Sequence, residues 1–160
     1  MDFDLTGLVH IVFGVSALGF GASVLGSEKG APHHKRLVRA YGASMVGLLA
    51  TALLIYDLFG YFGPFHYLAI LSLVTLVAGL APVLRRRPNG TWVDYPAHFM
   101  CWSFIGLVAA TVAEITTRLP SVPFQLGVIG SSVLVILGGY VVVRTRLRPL
   151  LRKRRLERGW

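Results

Sequence analysis

Apolar positions in this chain gather into long runs with little internal alternation, and five of the runs approach or exceed twenty residues. They cover about residues 5–25, 37–59, 65–84, 97–119 and 124–143. A helix needs about 20 mostly apolar residues to cross a bilayer core, and each run reaches that length. The breaks carry the residues that end helices: Gly26-Ser27-Glu28, then Gly60-Tyr61-Phe62-Gly63-Pro64, then Arg85-Arg86-Arg87-Pro88-Asn89-Gly90. Tight connections between long helical runs make antiparallel neighbours. The pattern therefore predicts an all-α integral membrane protein. Its transmembrane domain is a five-helix bundle over residues 1–143, followed by a basic cytoplasmic tail over 144–160.

Composition supports this class. Apolar residues make up 54% of the chain and charged residues only 14%, far from the balance of an ordinary soluble domain. The net charge of +9 is concentrated, since 8 of the 16 basic residues lie between Arg144 and Arg158. That basicity belongs to the tail and does not describe a nucleic-acid-binding surface. The tail is expected to lie on anionic lipid or to dock on a partner subunit. The acidic N-terminus, with Asp2 and Asp4, does not suit a secretory signal, so the first apolar run is expected to be retained. A single cysteine, Cys101, allows no intrachain disulfide. P-loop, dinucleotide-binding, zincin and nucleophile-elbow motifs are all missing.

Basic residues in short loops set the orientation. Lys29, Lys35, Arg36 and Arg39 follow the first run, Arg85, Arg86 and Arg87 follow the third, and the tail follows the fifth. With five spans these regions share one side, which places the N-terminus outside and the C-terminus inside. Aromatic residues such as Tyr61, Phe62 and Tyr67 outside, and Trp92 and Trp102 inside, read as interfacial belts.

Candidate chemistry centres on residues 96–120, an apolar run with His98 at one end and Glu114 and Arg118 at the other. Ionisable groups in such a segment are costly and usually face protein or water. The topology sorts the histidines into an outer layer with His10 and His66 and an inner layer with His33, His34 and His98. The layers lie roughly 20–25 Å apart at about 1.5 Å per residue. Gly7, Gly14 and Gly21 form a stripe with Ala17 that faces the bundle and brings His10 with it, and the face shared by Thr111, Glu114 and Arg118 lies close to a small stripe of Gly106, Ala110 and Ala113. Three readings follow. His10, His66 and Glu114 supply two imidazoles and a carboxylate, a set suited to a divalent metal such as zinc or iron. Alternatively, His10 with His66 and His34 (or His33) with His98 bind haem b at the two faces, resembling two-haem b-type cytochromes of transmembrane electron transfer. In the third reading the histidines are structural, Glu114 and Arg118 form an ion pair four residues apart, and the chain is an accessory or assembly subunit of a respiratory or photosynthetic membrane complex.

The runs Leu8-Val9-His10-Ile11-Val12-Phe13-Gly14, Pro32-His33-His34-Lys35-Arg36, His98-Phe99-Met100 and Glu114-Ile115-Thr116-Thr117-Arg118 resemble a prokaryotic predicted membrane protein family, domain of unknown function 2306. The likeness spans roughly residues 5 to 120. It implies a short multi-helix bundle in the prokaryotic cytoplasmic (inner) membrane, and no established reaction. The family's loop motif is His-Arg followed by Gly-Arg, whereas this chain has His34-Lys35-Arg36-Leu37-Val38-Arg39.

Overall fold

A computed structural model describes residues 5–27, 32–55, 60–85 and 94–149, which are helical and include no strand. The helices are α1 (Leu5–Gly26), α2 (Pro32–Leu54), α3 (Pro64–Arg85), α4 (Asp94–Thr117) and α5 (Ser131–Val142). Single π-helical turns, Leu126–Gly130 and Val143–Leu147, flank α5. Among the described residues, four stretches are long and apolar enough to cross a membrane: Leu5–Gly26, Pro32–Leu54, Ala97–Thr117 and Leu126–Leu147. The described part of α3 adds a shorter apolar stretch, Phe65–Gly79.

The second helix is displaced from its expected span of 37–59. It opens at Pro32, whose fixed φ and missing N–H suit the first helical position, and so takes His33, His34, Lys35 and Arg36 into its first turns. The fifth helical stretch likewise runs past Val143 into the basic segment. Asp2, Asp4, Lys29, Arg86, Arg87, Trp92 and the tail beyond Pro149 lie outside the described residues.

The chain divides into two compact units, Met1–Leu80 and Ala81–Trp160. In the first, α1 packs along α2. Ala17, Gly21 and Val24 are buried on α1 at spacings of one helical face, and Tyr41, Met45, Leu48 and Leu49 are buried on α2. Small residues set the approach. A Cβ on Gly47 would lie 2.6 Å from the Phe13 ring, and one on Gly14 would touch Leu48 at 3.5 Å. In lipid, where tails are as apolar as leucine, such close packing holds helices together. On α3, His66, Ala69, Leu76 and Gly79 are buried along one stripe, while Tyr67, Ile70, Leu71, Val74 and Val77 are exposed.

In the second unit α4 packs on α5 and its flanking turns. Val143 and Leu147 are buried against Ala97, Cys101 and Ile105. The buried positions of α4 are Ser103, Leu107, Ala109 and Ala113. Of the small residues on α4, Ala113 is buried, Ala110 is exposed, and a Cβ on Gly106 would meet nothing within 4 Å. The glycine that matters is on α5, where a Cβ on Gly139 would stand 2.6–2.8 Å from three Ile105 side-chain atoms. Isoleucine in a helix has little χ1 freedom to yield. Gly139→Ala is thus expected to destabilise by about 1 kcal/mol net of its helix-propensity gain. Gly138→Ala, which meets nothing within 4 Å, is neutral or stabilising. Thermal unfolding of the two variants in detergent checks the contrast, and equal midpoints would count against it.

Candidate functional site

The first candidate, His10, lies in the second turn of α1, and its Nδ1 is 2.9 Å from the Thr51 hydroxyl near the end of α2. That hydroxyl also reaches back along its own helix to the carbonyls of Gly47 (3.0 Å) and Leu48 (2.9 Å). A threonine hydroxyl has one hydrogen, and a carbonyl can only accept. All three contacts are satisfied together when Thr51 donates to the preceding turn and accepts Nδ1–H from His10. The neutral ring then holds its lone pair on Nε2.

The second histidine repeats this pattern at the other end of the hairpin. His34 Nδ1 lies 2.6 Å from the Ser27 hydroxyl, which donates to the Val24 carbonyl at 3.1 Å. Here too Nδ1–H is the donor and Nε2 holds the lone pair. The two pairs are related by the antiparallel register. In each, the two residue numbers add to 61, and each histidine stands 17 residues before a hydroxyl on its own segment. The Phe13–Gly47 and Gly14–Leu48 contacts lie within one residue of that register. Seventeen residues of helix separate the two imidazole–hydroxyl bonds by roughly 25 Å. They form a reciprocal clasp, one fastening at each end of the α1–α2 hairpin.

The third histidine is held differently. Gly63 stands just before Pro64, the first residue of α3, and its N–H donates to His66 Nδ1 at 3.1 Å. The backbone N–H of His66 in turn donates to the Gly63 carbonyl at 3.0 Å. This is capping-box geometry, with a third-position side chain reaching back to the cap residue. Phe62 lies over the ring with centroids 4.6 Å apart, and Tyr67 meets Phe62 edge-on. Because Nδ1 accepts, the neutral ring of His66 carries its proton on a buried Nε2. In this arrangement neither nitrogen of His66 offers a lone pair to a metal.

In the second unit, His98 is half-buried one turn before Cys101. Arg118 donates to Glu114 at 2.8 Å with both side chains largely exposed, a pair contributing about 0.3–0.5 kcal/mol. Its neighbours do more for the fold. The Thr116 hydroxyl lies 2.9 Å from the Gly127 carbonyl across the turn, and Ser131 donates to that same carbonyl. Gly127 is buried, and a Cβ there would stand 3.3–3.4 Å from atoms of Thr116 and Thr117. The Glu-Thr-Thr-Arg cluster therefore splits into an exposed ion pair and a threonine contact that seats the first π turn.

His10, His34 and His66 thus belong to the first unit, and His98, Glu114 and Arg118 to the second. The metal set and the inner haem pair each draw on both units. Among the described residues, no three His, Cys, Asp or Glu side chains gather into a group that could hold a metal ion. Sequence reasoning missed Thr51 and Ser27, although the equal His-to-hydroxyl spacing in the first two runs was there to be read. No protein-family model, curated protein or solved structure matches the chain.

Proposed function

We propose that the chain is a five-span protein of the prokaryotic cytoplasmic membrane, acting as a non-enzymatic accessory or assembly subunit of a larger membrane complex. One observation carries the reading: His10, His34 and His66 are each engaged in a hydrogen bond at a helix end that helps close the fold. The fifth span is α3, whose 22 residues extend roughly 33 Å. Five spans put the basic start of α2 and the Arg144–Arg148 segment on one side, which the positive-inside rule makes cytoplasmic. The N-terminus is then outside, and the family resemblance implies the same location.

A second reading has its own support. A histidine that donates Nδ1–H to a fixed acceptor presents Nε2 as a ligand, the usual arrangement around metal-bound imidazole. His10 and His34 are both held through Nδ1 in this way, which supports binding of haem or a divalent metal, as in an electron-transfer protein, as the second reading. Purification of the full chain in mild detergent separates the two readings through an absorption spectrum, elemental analysis and the list of co-purifying proteins. The accessory reading predicts a colourless preparation without stoichiometric metal that brings specific membrane proteins with it. A Soret band shifting on reduction, or metal lost in His10→Ala, would reverse the order of the two.

A further inference from the structure

The exposed face of α2 changes character along its length. Arg36, Arg39, Ala43, Val46, Ala50 and Leu54 are all exposed, at steps of three or four residues, and Lys35 borders them. At about 100° per residue they lie within a stripe about 100° wide. The opposite face holds the buried Tyr41, Met45 and Leu48 and the inward-turned His34. The cations thus occupy the same face as the exposed apolar residues of a helix long enough to span a membrane. Arg39 stands one turn, about 6 Å, from Ala43.

The charge on this face has no compensation from its own helix. No Asp or Glu occurs anywhere in Pro32–Leu54. The partial positive charge of a helix N-terminus adds to the three cations, which raises the local demand for an anion. Arg36 and Arg39 are three residues apart and can present both guanidinium forks to one phosphate, with Lys35 as a third point charge.

We infer that Lys35, Arg36 and Arg39 form a headgroup site for an anionic glycerophospholipid, whose acyl chains lie along Ala43, Val46 and Ala50. The inference rests on the membrane-spanning reading above. A zwitterionic headgroup brings its own cation to the same place and satisfies the site poorly. Cations at this level of an anionic leaflet each strengthen binding severalfold.

The test uses the full chain in nanodiscs of pure phosphatidylcholine and of phosphatidylcholine with phosphatidylglycerol, with bound lipid counted by native mass spectrometry. Wild type should retain phosphatidylglycerol preferentially. K35Q/R36Q/R39Q should lower that retention roughly a hundredfold. R144Q/R146Q/R148Q, which removes the same charge from the end of the fifth helical stretch, should lower it less. Equal losses in the two variants would reduce the effect to diffuse attraction and overturn the site. Displacement of the lipid by inorganic phosphate would assign the patch to a free anion and overturn it too. Should the triple variant fail to fold, R36Q/R39Q is compared with R144Q/R146Q in its place, and equal losses there overturn the site in the same way. Failure of wild type to enter either nanodisc would reject the membrane reading itself, whereas entry without preference for the anionic lipid rejects only this inference.

Discussion

Gly47→Leu is expected to open the α1–α2 hairpin and to lower stability by about 2–3 kcal/mol, the upper part of the range for overpacking a close contact. Even a single added carbon at this position would stand 2.6–2.7 Å from three atoms of the Phe13 ring. A leucine adds three more carbons to the same space. The ring is only half-buried and can swing outward, but doing so removes the knob that fills the gap beside Gly47. Because the clash is local, Phe13→Ala in the same chain should recover a substantial part of the loss, giving a favourable coupling in a double-mutant cycle. Unfolding in mixed micelles with increasing sodium dodecyl sulfate, followed by circular dichroism, measures each corner of the cycle. An unchanged midpoint for Gly47→Leu would mean that the two helices do not meet here.

The features of this fold that the sequence makes plain are those set by length and composition. Runs of about twenty apolar residues have few alternatives to helices, and four of them are realised as helices fit to span a membrane. The Gly14–Ala17–Gly21 stripe was equally readable, because small residues at helical spacing have a direct packing consequence, and Ala17 and Gly21 are buried as expected. What depends on a partner was harder to read. On α4 the close approach to α5 falls at Ile105, opposite Gly139, and periodicity within one helix does not reveal its neighbour. Hydropathy alone puts the start of α2 five residues late, because charged residues lower its average, whereas Pro32 sets the start by backbone geometry. Histidine roles were the least legible. Whether an imidazole is a ligand or a fastener depends on which nitrogen holds the proton. That in turn depends on hydroxyls 41 residues away for His10 and seven away for His34.

Removing both fastenings of that hairpin is expected to cost about 2 kcal/mol, close to the sum of the two single losses. Thr51→Val keeps the shape of the side chain and deletes the acceptor for His10. Ser27→Ala does the same for His34. Hydrogen bonds between membrane helices contribute about 0.6–1.7 kcal/mol, so each single variant should lose about 1 kcal/mol. The two sites are roughly 25 Å apart and share no partner, which makes their effects additive. Within one site the expectation reverses. Once Thr51 is valine, His10→Ala should cost less than it does in wild type, because the interaction the two residues share is already gone. Nitrogen NMR of imidazole-labelled protein supplies a readout that a generally weakened fold would not move. In wild type both His10 and His34 should show the Nδ1-protonated form, and Thr51→Val should alter the His10 signal while leaving that of His34 in place. An Nε2-protonated His10 in wild type would reverse the donor and acceptor assigned to this bond, and overturn the case for a ligand at Nε2.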